Sequence, residues 1–235
     1  MNTKRNRMPA DARKTAILEA ASQLLAERPW EEVTVSGLLD AAGISKGGFY
    51  HHFTSREDVL AAVVLRLADD SIAAGQETLS RVGEDPVARF STFLTETARW
   101  ELSHAGKILA IVRMAMMEGN APLFIKLGEE SQRRCSPIIR GLIEDGASKS
   151  FFNVVDLDLT TELVMNIGRM RWPTFLKAQD IADGGDQEEA WRAISDRVRV
   201  EEALTNRLLG LQDRTVRFPP LREYRPLIDQ DQDPA

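Results

Sequence analysis

TVSGLLDAAGISKGGFYHHF, residues 34–53, holds two short helices around a glycine turn. Thr34 has the hydroxyl of an N-cap, and Val35, Leu38 and Leu39 follow at helical spacing. Ala42-Gly43 ends that helix, since glycine takes the left-handed conformation that a sharp turn needs. Ile44 plugs the core beneath the turn. Ser45 is the next N-cap and opens a helix over Lys46 to His52. This second helix exposes a cation (Lys46), two glycines (Gly47, Gly48), a phenol (Tyr50) and two imidazoles (His51, His52), while Phe49 and Phe53 face the core. That is the layout of a helix-turn-helix, whose second helix enters the major groove by its N-terminal end. Lys46 can reach a phosphate or the O6/N7 edge of guanine. Tyr50 offers a hydroxyl to a phosphate without adding charge. Two glycines in one short helix cost about 1 kcal/mol each, a cost that close approach of the backbone to DNA would explain.

Working outward, Ile17, Ala21, Leu24 and Leu25 stripe a preceding helix that Arg28-Pro29 ends. Downstream, Ser55-Arg56-Glu57-Asp58 resembles a capping box, with Asp in place of Glu or Gln, and opens a long helix striped by Val59, Val63 and Leu67. Further helices are expected over 85–104, 107–118, 121–149, 157–180 and 187–211. Their breaks are Asp85-Pro86, Ala105-Gly106, Gly119 to Pro122 and Gly184-Gly185. Phe151 to Val155 is β-like but reads as a connector. The fold class is all-α: an N-terminal three-helix helix-turn-helix domain (1–58, the motif itself about 34–53), then a helical domain over 59–211. Residues 212–235, with four prolines, read as a loosely held C-terminal tail on which Phe218, Leu221 and Tyr224 touch the body.

Charge is unevenly spread. Residues 1–60 hold eight basic and eight acidic side chains, so residues 61–235 carry all of the net −6. Residues 1–14 alone hold five bases and one acid, a basic arm that points weakly to a polyanion near the N-terminus. The most apolar run, Val59 to Leu65, is far short of the about 20 residues of a membrane helix. No apolar segment follows the basic N-terminus, so no secretory signal is expected. The lone Cys135 fits a reducing cytoplasm and lacks a nucleophile motif. His51 and His52 diverge by about 100° on a helix and His104 is distant, so neither a metal site nor a cofactor is expected. No nucleophile elbow, phosphate loop or di-iron signature argues for an enzyme.

The pattern Thr34…Ala41-Ala42-Gly43-Ile44-Ser45-Lys46-Gly47…Tyr50-His51-His52-Phe53…Ser55-Arg56-Glu57 resembles the DNA-binding region of the tetracycline-repressor (TetR) family of bacterial regulators. The specific match covers about residues 13–65. The resemblance implies a homodimer held by a four-helix interface, here 157–180 and 187–211. Two helix-turn-helix units would meet the halves of a palindromic operator in double-stranded DNA, and a small-molecule effector would release the protein, making it a repressor. Carried over by position, Thr34, Ser45, Tyr50 and Arg56 contact phosphates, and Lys46, Gly47 and His51 lie nearest bases. Gly48 belongs to the same set but departs from the family, which usually has a side chain there. Readout would then lean on Lys46, His51 and the N-terminal arm.

Candidates for the effector pocket are Phe90, Phe93, Trp100, His104, Met114, Met117, Phe124 and Trp172, since aromatic and Met side chains suit an adaptable apolar cavity. Each of them could equally be plain core. Arg113, Glu101 and Glu118 are polar anchors if they point inward. The competing functional readings are an activator or a ligand-insensitive regulator of the same fold, and a scaffold that has lost DNA binding.

Overall fold

The computed structural model describes residues 9–229. Among them are nine α-helices: α1 (Ala10–Glu27), α2 (Val35–Ala42), α3 (Lys46–Tyr50), α4 (Arg56–Leu79), α5 (Pro86–Ser103), α6 (Ala105–Ala115), α7 (Ala121–Ser148), α8 (Leu157–Asp183) and α9 (Gln187–Leu208). Two 3₁₀ segments, Trp30–Glu32 and Leu221–Leu227, complete the order, and no strand occurs among the described residues. The chain divides into two compact units, the first reaching Leu67 and the second starting at Ala68.

In the first unit the caps act where the sequence puts them. Thr34 Oγ1 accepts from the Gly37 N–H at 3.1 Å, and Ser45 Oγ from the Gly48 N–H at 3.2 Å. Gly43 turns left-handed at φ 65°, and the Ile44 N–H bonds the Leu39 carbonyl. The core is Ile17, Leu24, Leu25, Trp30, Leu38, Phe49, Phe53, Val59 and Val63. Burying each large apolar side chain contributes about 1.5–3 kcal/mol before the entropy cost. The box at the start of α4 is shared differently from expectation. Ser55 Oγ accepts from the Asp58 N–H, but the Asp58 carboxylate reaches back to the N–H and hydroxyl of Thr54. Those bonds hold the Asp58 carboxyl below its ordinary range.

The second unit opens with Asp85 capping the Val87 N–H and Pro86 in the first turn of α5. Asp156 and Asp186 cap α8 and α9 in the same way, at 2.7 and 2.9 Å. The helix expected over 107–118 begins at Ala105 and stops at Ala115, because α5 passes into α6 at His104. Two apolar cores form: Phe90, Phe93, Ile139, Ile143, Phe152, Val164, Leu209 and Val216 in one, and Leu109, Trp172, Phe175, Ile194, Val198, Phe218, Tyr224 and Ile228 in the other. On α7 Arg133 pairs with Glu130 at 2.7 Å, and Arg134 reaches both Glu130 and Asp69.

The C-terminal segment corrects the expectation of a loose tail. Up to Asp229 it is part of the second unit. The fully buried Asn206 clips it, with Nδ2 donating to the Val216 carbonyl and Oδ1 accepting from the Val216 N–H, both at 2.8 Å. The Phe218 N–H then donates to Glu202 at 3.0 Å. A buried backbone that finds such partners loses little on leaving water. Residues 230–235 lie outside the described residues.

Candidate nucleic-acid interface

The α1–α3 packing sets which face of α3 is free. Phe49 is buried, while Ser45, Lys46, Gly47, Tyr50 and His51 are exposed on one end and side of the helix. The capping hydroxyls of Thr34 and Ser45 use a lone pair to accept, so each O–H remains to donate outward. Tyr50 stands half exposed, its ring edge-on to Phe49 with centroids 5.3 Å apart, which fixes the direction of the phenol. His52 turns sideways, half-buried, its ring 4.9 Å from that of His51. Burial, and then the nearby His51, Arg13 and Lys14, lower its pKa, with Asp11 opposing. His52 Nε2 is buried and makes no hydrogen bond.

Two residues stand elsewhere than the sequence suggested. Gly48 was expected among the exposed groups of the helix. It is buried, and a Cβ there would stand 3.4 Å from Ser45 Oγ and 3.8 Å from both Cδ and Nη1 of Arg13. It therefore faces α1. Arg56 was expected to contact a phosphate. Its Nη1 instead donates to the carbonyls of Trp30, Glu31 and Val33 at 3.1, 3.2 and 2.8 Å, and its Nε to Glu57 at 2.8 Å. This ties the start of α4 to the turn before α2. Arg56→Ala leaves three carbonyls short of a donor and is expected to lower stability by about 1–3 kcal/mol in urea unfolding. A change below about 0.5 kcal/mol would contradict that role. The basic residues Lys4, Arg5 and Arg7 of the expected arm lie outside the described residues.

The pocket candidates do not converge. Phe90 and Phe93 belong to one apolar core and Trp172 to the other. Met114 is buried, Phe124 half-buried and Met117 exposed. Trp100 and His104 stack on each other at 3.9 Å. Arg113 is an exposed partner of Asp180 at 2.7 Å, and Glu118 is exposed. Only Glu101 of the three proposed anchors points inward, toward a centre that sequence reasoning missed. There Arg171 Nε meets Glu201 at 2.8 Å, with side chains 9% and 1% exposed. Arg197 takes the other Glu201 oxygen at 2.5 Å. The Arg171 guanidinium also lies 5.1 Å over the Phe218 ring. Tyr224 is fully buried beside them, its hydroxyl without a partner. Burial raises the carboxyls of Glu101 and Glu201, and Arg171 draws both back down. The i,i+4 spacing of Arg197 and Glu201 is the one local signal of this centre. Burial, helped by Glu101, pushes the Cys135 thiol up to about 12, so it stays protonated.

No helix among the described residues is long and apolar enough to cross a membrane. The family model of bacterial regulatory proteins, tetR family, matches residues 17–63. The HTH-type transcriptional repressor KstR2 of Rhodococcus jostii (strain RHA1) is 26% identical over 166 residues, 68% of this chain and 79% of that protein. The fatty acid degradation regulator FadR from Bacillus halodurans is similar in fold, with TM-score 0.60, 19% identity, and 86% of this chain and 97% of its own covered. RolR in complex with the ligand resorcinol gives TM-score 0.53 at 21% identity, covering 94% of this chain and 95% of its own. The matched segment runs from the middle of α1 to the first turns of α4, and so contains α3 and its Ser45 cap.

Proposed function

We propose, on the premise that this chain is a DNA-binding transcriptional regulator of the tetR family of bacterial regulatory proteins, that it is a homodimeric repressor which a small molecule releases from a palindromic operator. The observation that carries the reading is the exposed set Ser45, Lys46, Gly47, Tyr50 and His51 on a capped helix with its aromatic face buried. Lys46 and His51 stand nearest base edges, Gly47 lets the backbone approach, and the hydroxyls of Thr34, Ser45 and Tyr50 take phosphates.

Dimerisation is supported by an apolar stripe. Leu159, Leu163 and Met170 on α8, with Val200 and Leu204 on α9, are 40–58% exposed. The spacing 159, 163, 170 is one helix face, and 200, 204 is another. Two such faces related by a two-fold axis make a self-complementary four-helix interface, and a two-fold protein reads a two-fold site. Repression is supported by KstR2, itself named a repressor. Effector binding is supported by RolR, a structural neighbour that holds resorcinol. The buried Glu101, Arg171, Glu201 and Tyr224 centre supplies polar groups within an otherwise apolar unit. An effector acts only by binding the DNA-competent and released states unequally. α4, which starts in the first unit and ends in the second, is the covalent path between them. The work is cytoplasmic, where the operator is.

The test is selection of bound fragments from the source genome by the purified protein at two salt concentrations. One short palindrome, still bound at physiological salt, is expected. Uniform binding that collapses with salt would leave only the electrostatic component and defeat the operator reading. Lys46→Ala is expected to weaken binding to that palindrome by about 1–3 kcal/mol at fixed salt. Unchanged affinity would remove Lys46 from the readout.

A further inference from the structure

Arg13 sits on α1, outside the helix-turn-helix, yet its side chain crosses to α3. Its Cδ and Nη1 each lie 3.8 Å from the point where a Gly48 Cβ would be, and Ser45 Oγ lies 3.4 Å from the same point. Gly48 is thus the gap through which the arginine stem passes. A long side chain at position 48 would displace it.

The charge around it is unbalanced. Most arginines of this chain meet a carboxylate, as Arg56, Arg99, Arg134, Arg140 and Arg207 do. Arg13 makes no ion pair with any described residue, and its Nε is buried without a hydrogen-bond partner. Lys14 is a second cation in the same field, beside the rings of His51 and His52, with Asp11 the acid among them. A guanidinium held in place without an ion-pair partner, with a second cation in its field, wants an anion from outside the chain.

We infer that Arg13 binds a phosphate of the DNA backbone, jointly with the Ser45 hydroxyl, at the edge of α3 that faces α1. The direction of Gly48 decides between backbone and base. Gly48 is buried toward α1, so Arg13 flanks the reading face and does not project from it. A planar fork beside a hydroxyl donor suits the oxygens of one phosphate. The contact rests on α3 being the DNA-reading helix.

The experiment uses full-length Arg13→Gln, which keeps the stem over Gly48 and removes the charge. Two probes are titrated over a salt series: a 30-bp duplex carrying the selected palindrome and a random-sequence duplex of the same length. Arg13→Gln is expected to lose about tenfold on both duplexes at physiological salt, with the log–log salt slope shallower by about 1. An unchanged slope overturns the inference, and so does a loss confined to the palindrome, which would mean base reading. Wild-type binding with no salt dependence on either probe would instead defeat the DNA-binding reading itself. Should Arg13→Gln fail to fold, the wild-type protein is titrated on palindromes carrying single neutral methylphosphonates. A loss at one flanking phosphate that Arg13→Met does not show sustains the contact; equal losses in both proteins, or no loss at any flanking phosphate, overturn it.

Discussion

The double variant Leu163→Glu, Leu204→Glu is expected to sediment as a monomer and to lose operator affinity by about 10²–10⁴-fold. Both leucines are exposed in a single chain, Leu163 on α8 and Leu204 on α9, successive helices joined by the short turn at 184–186. In an isologous interface each glutamate would face the partner's copy of the same apolar stripe. A carboxylate buried there without a cation costs several kcal/mol, and two like charges add repulsion. The fold itself is expected to survive, since neither leucine belongs to the two cores. Affinity falls because a monomer engages one half-site and loses the effective concentration that tethers the second. Sedimentation velocity and a palindrome titration read the two effects separately. A variant that stays dimeric would move the interface away from these faces.

Arg171→Met is expected to destabilise the protein by about 3–5 kcal/mol, a large share of the 5–15 kcal/mol that holds a typical domain. Glu201 is the reason, because its side chain is 1% exposed and faces Arg171 at 2.8 Å. Arg197 remains at its other oxygen, which places the loss toward the lower end of that range. The effect carries a pH signature. Burial raises Glu101 and Glu201, and Arg171 lowers both. Without Arg171, burial acts with less opposition and both carboxyls rise further. Between the ordinary value of about 4.3 and the raised folded value, the folded state then holds more protons than the unfolded state. Stability must fall as pH rises through that window. Urea unfolding across pH 5–8 should show a steeper decline for Arg171→Met than for wild type. Adding Glu201→Leu should restore much of the loss and flatten the profile, because an apolar pair replaces an orphaned charge. Equal pH profiles in wild type and Arg171→Met would exclude this centre as the source of the effect.

The helices were legible because their punctuation is local. Thr34, Ser45, Asp85, Asp156 and Asp186 cap N–H groups two or three residues ahead. The partners of Arg56 were not legible, since the carbonyls it holds lie 23 to 26 residues earlier. Gly48 looked like an exposed backbone in a DNA-reading helix. Its true direction depends on the rotation of α3 against α1, which no spacing within α3 encodes. The pocket candidates are aromatic, His and Met side chains. Such side chains serve a packed core as readily as a cavity, and Phe90, Phe93 and Trp172 divide between two cores. Arg171 and Glu201 carry the opposite lesson, for a charged residue in a helical pattern reads as solvent-facing unless its partner is visible.

The sequence by itself determined the all-α class, the order and most bounds of the helices, and the motif from Thr34 to Phe53. Helical period, caps and a left-handed glycine act within one turn of the residue that carries them, so neighbours along the chain suffice. Only the tertiary structure decided that residues 212–229 belong to the body, through Asn206 and Val216, ten residues apart. It alone turned Arg56 into a clamp, brought Arg13 over Gly48, and enclosed Arg171 with Glu201. Those outcomes depend on which groups lose water together, and that is set by how helices distant in sequence pack.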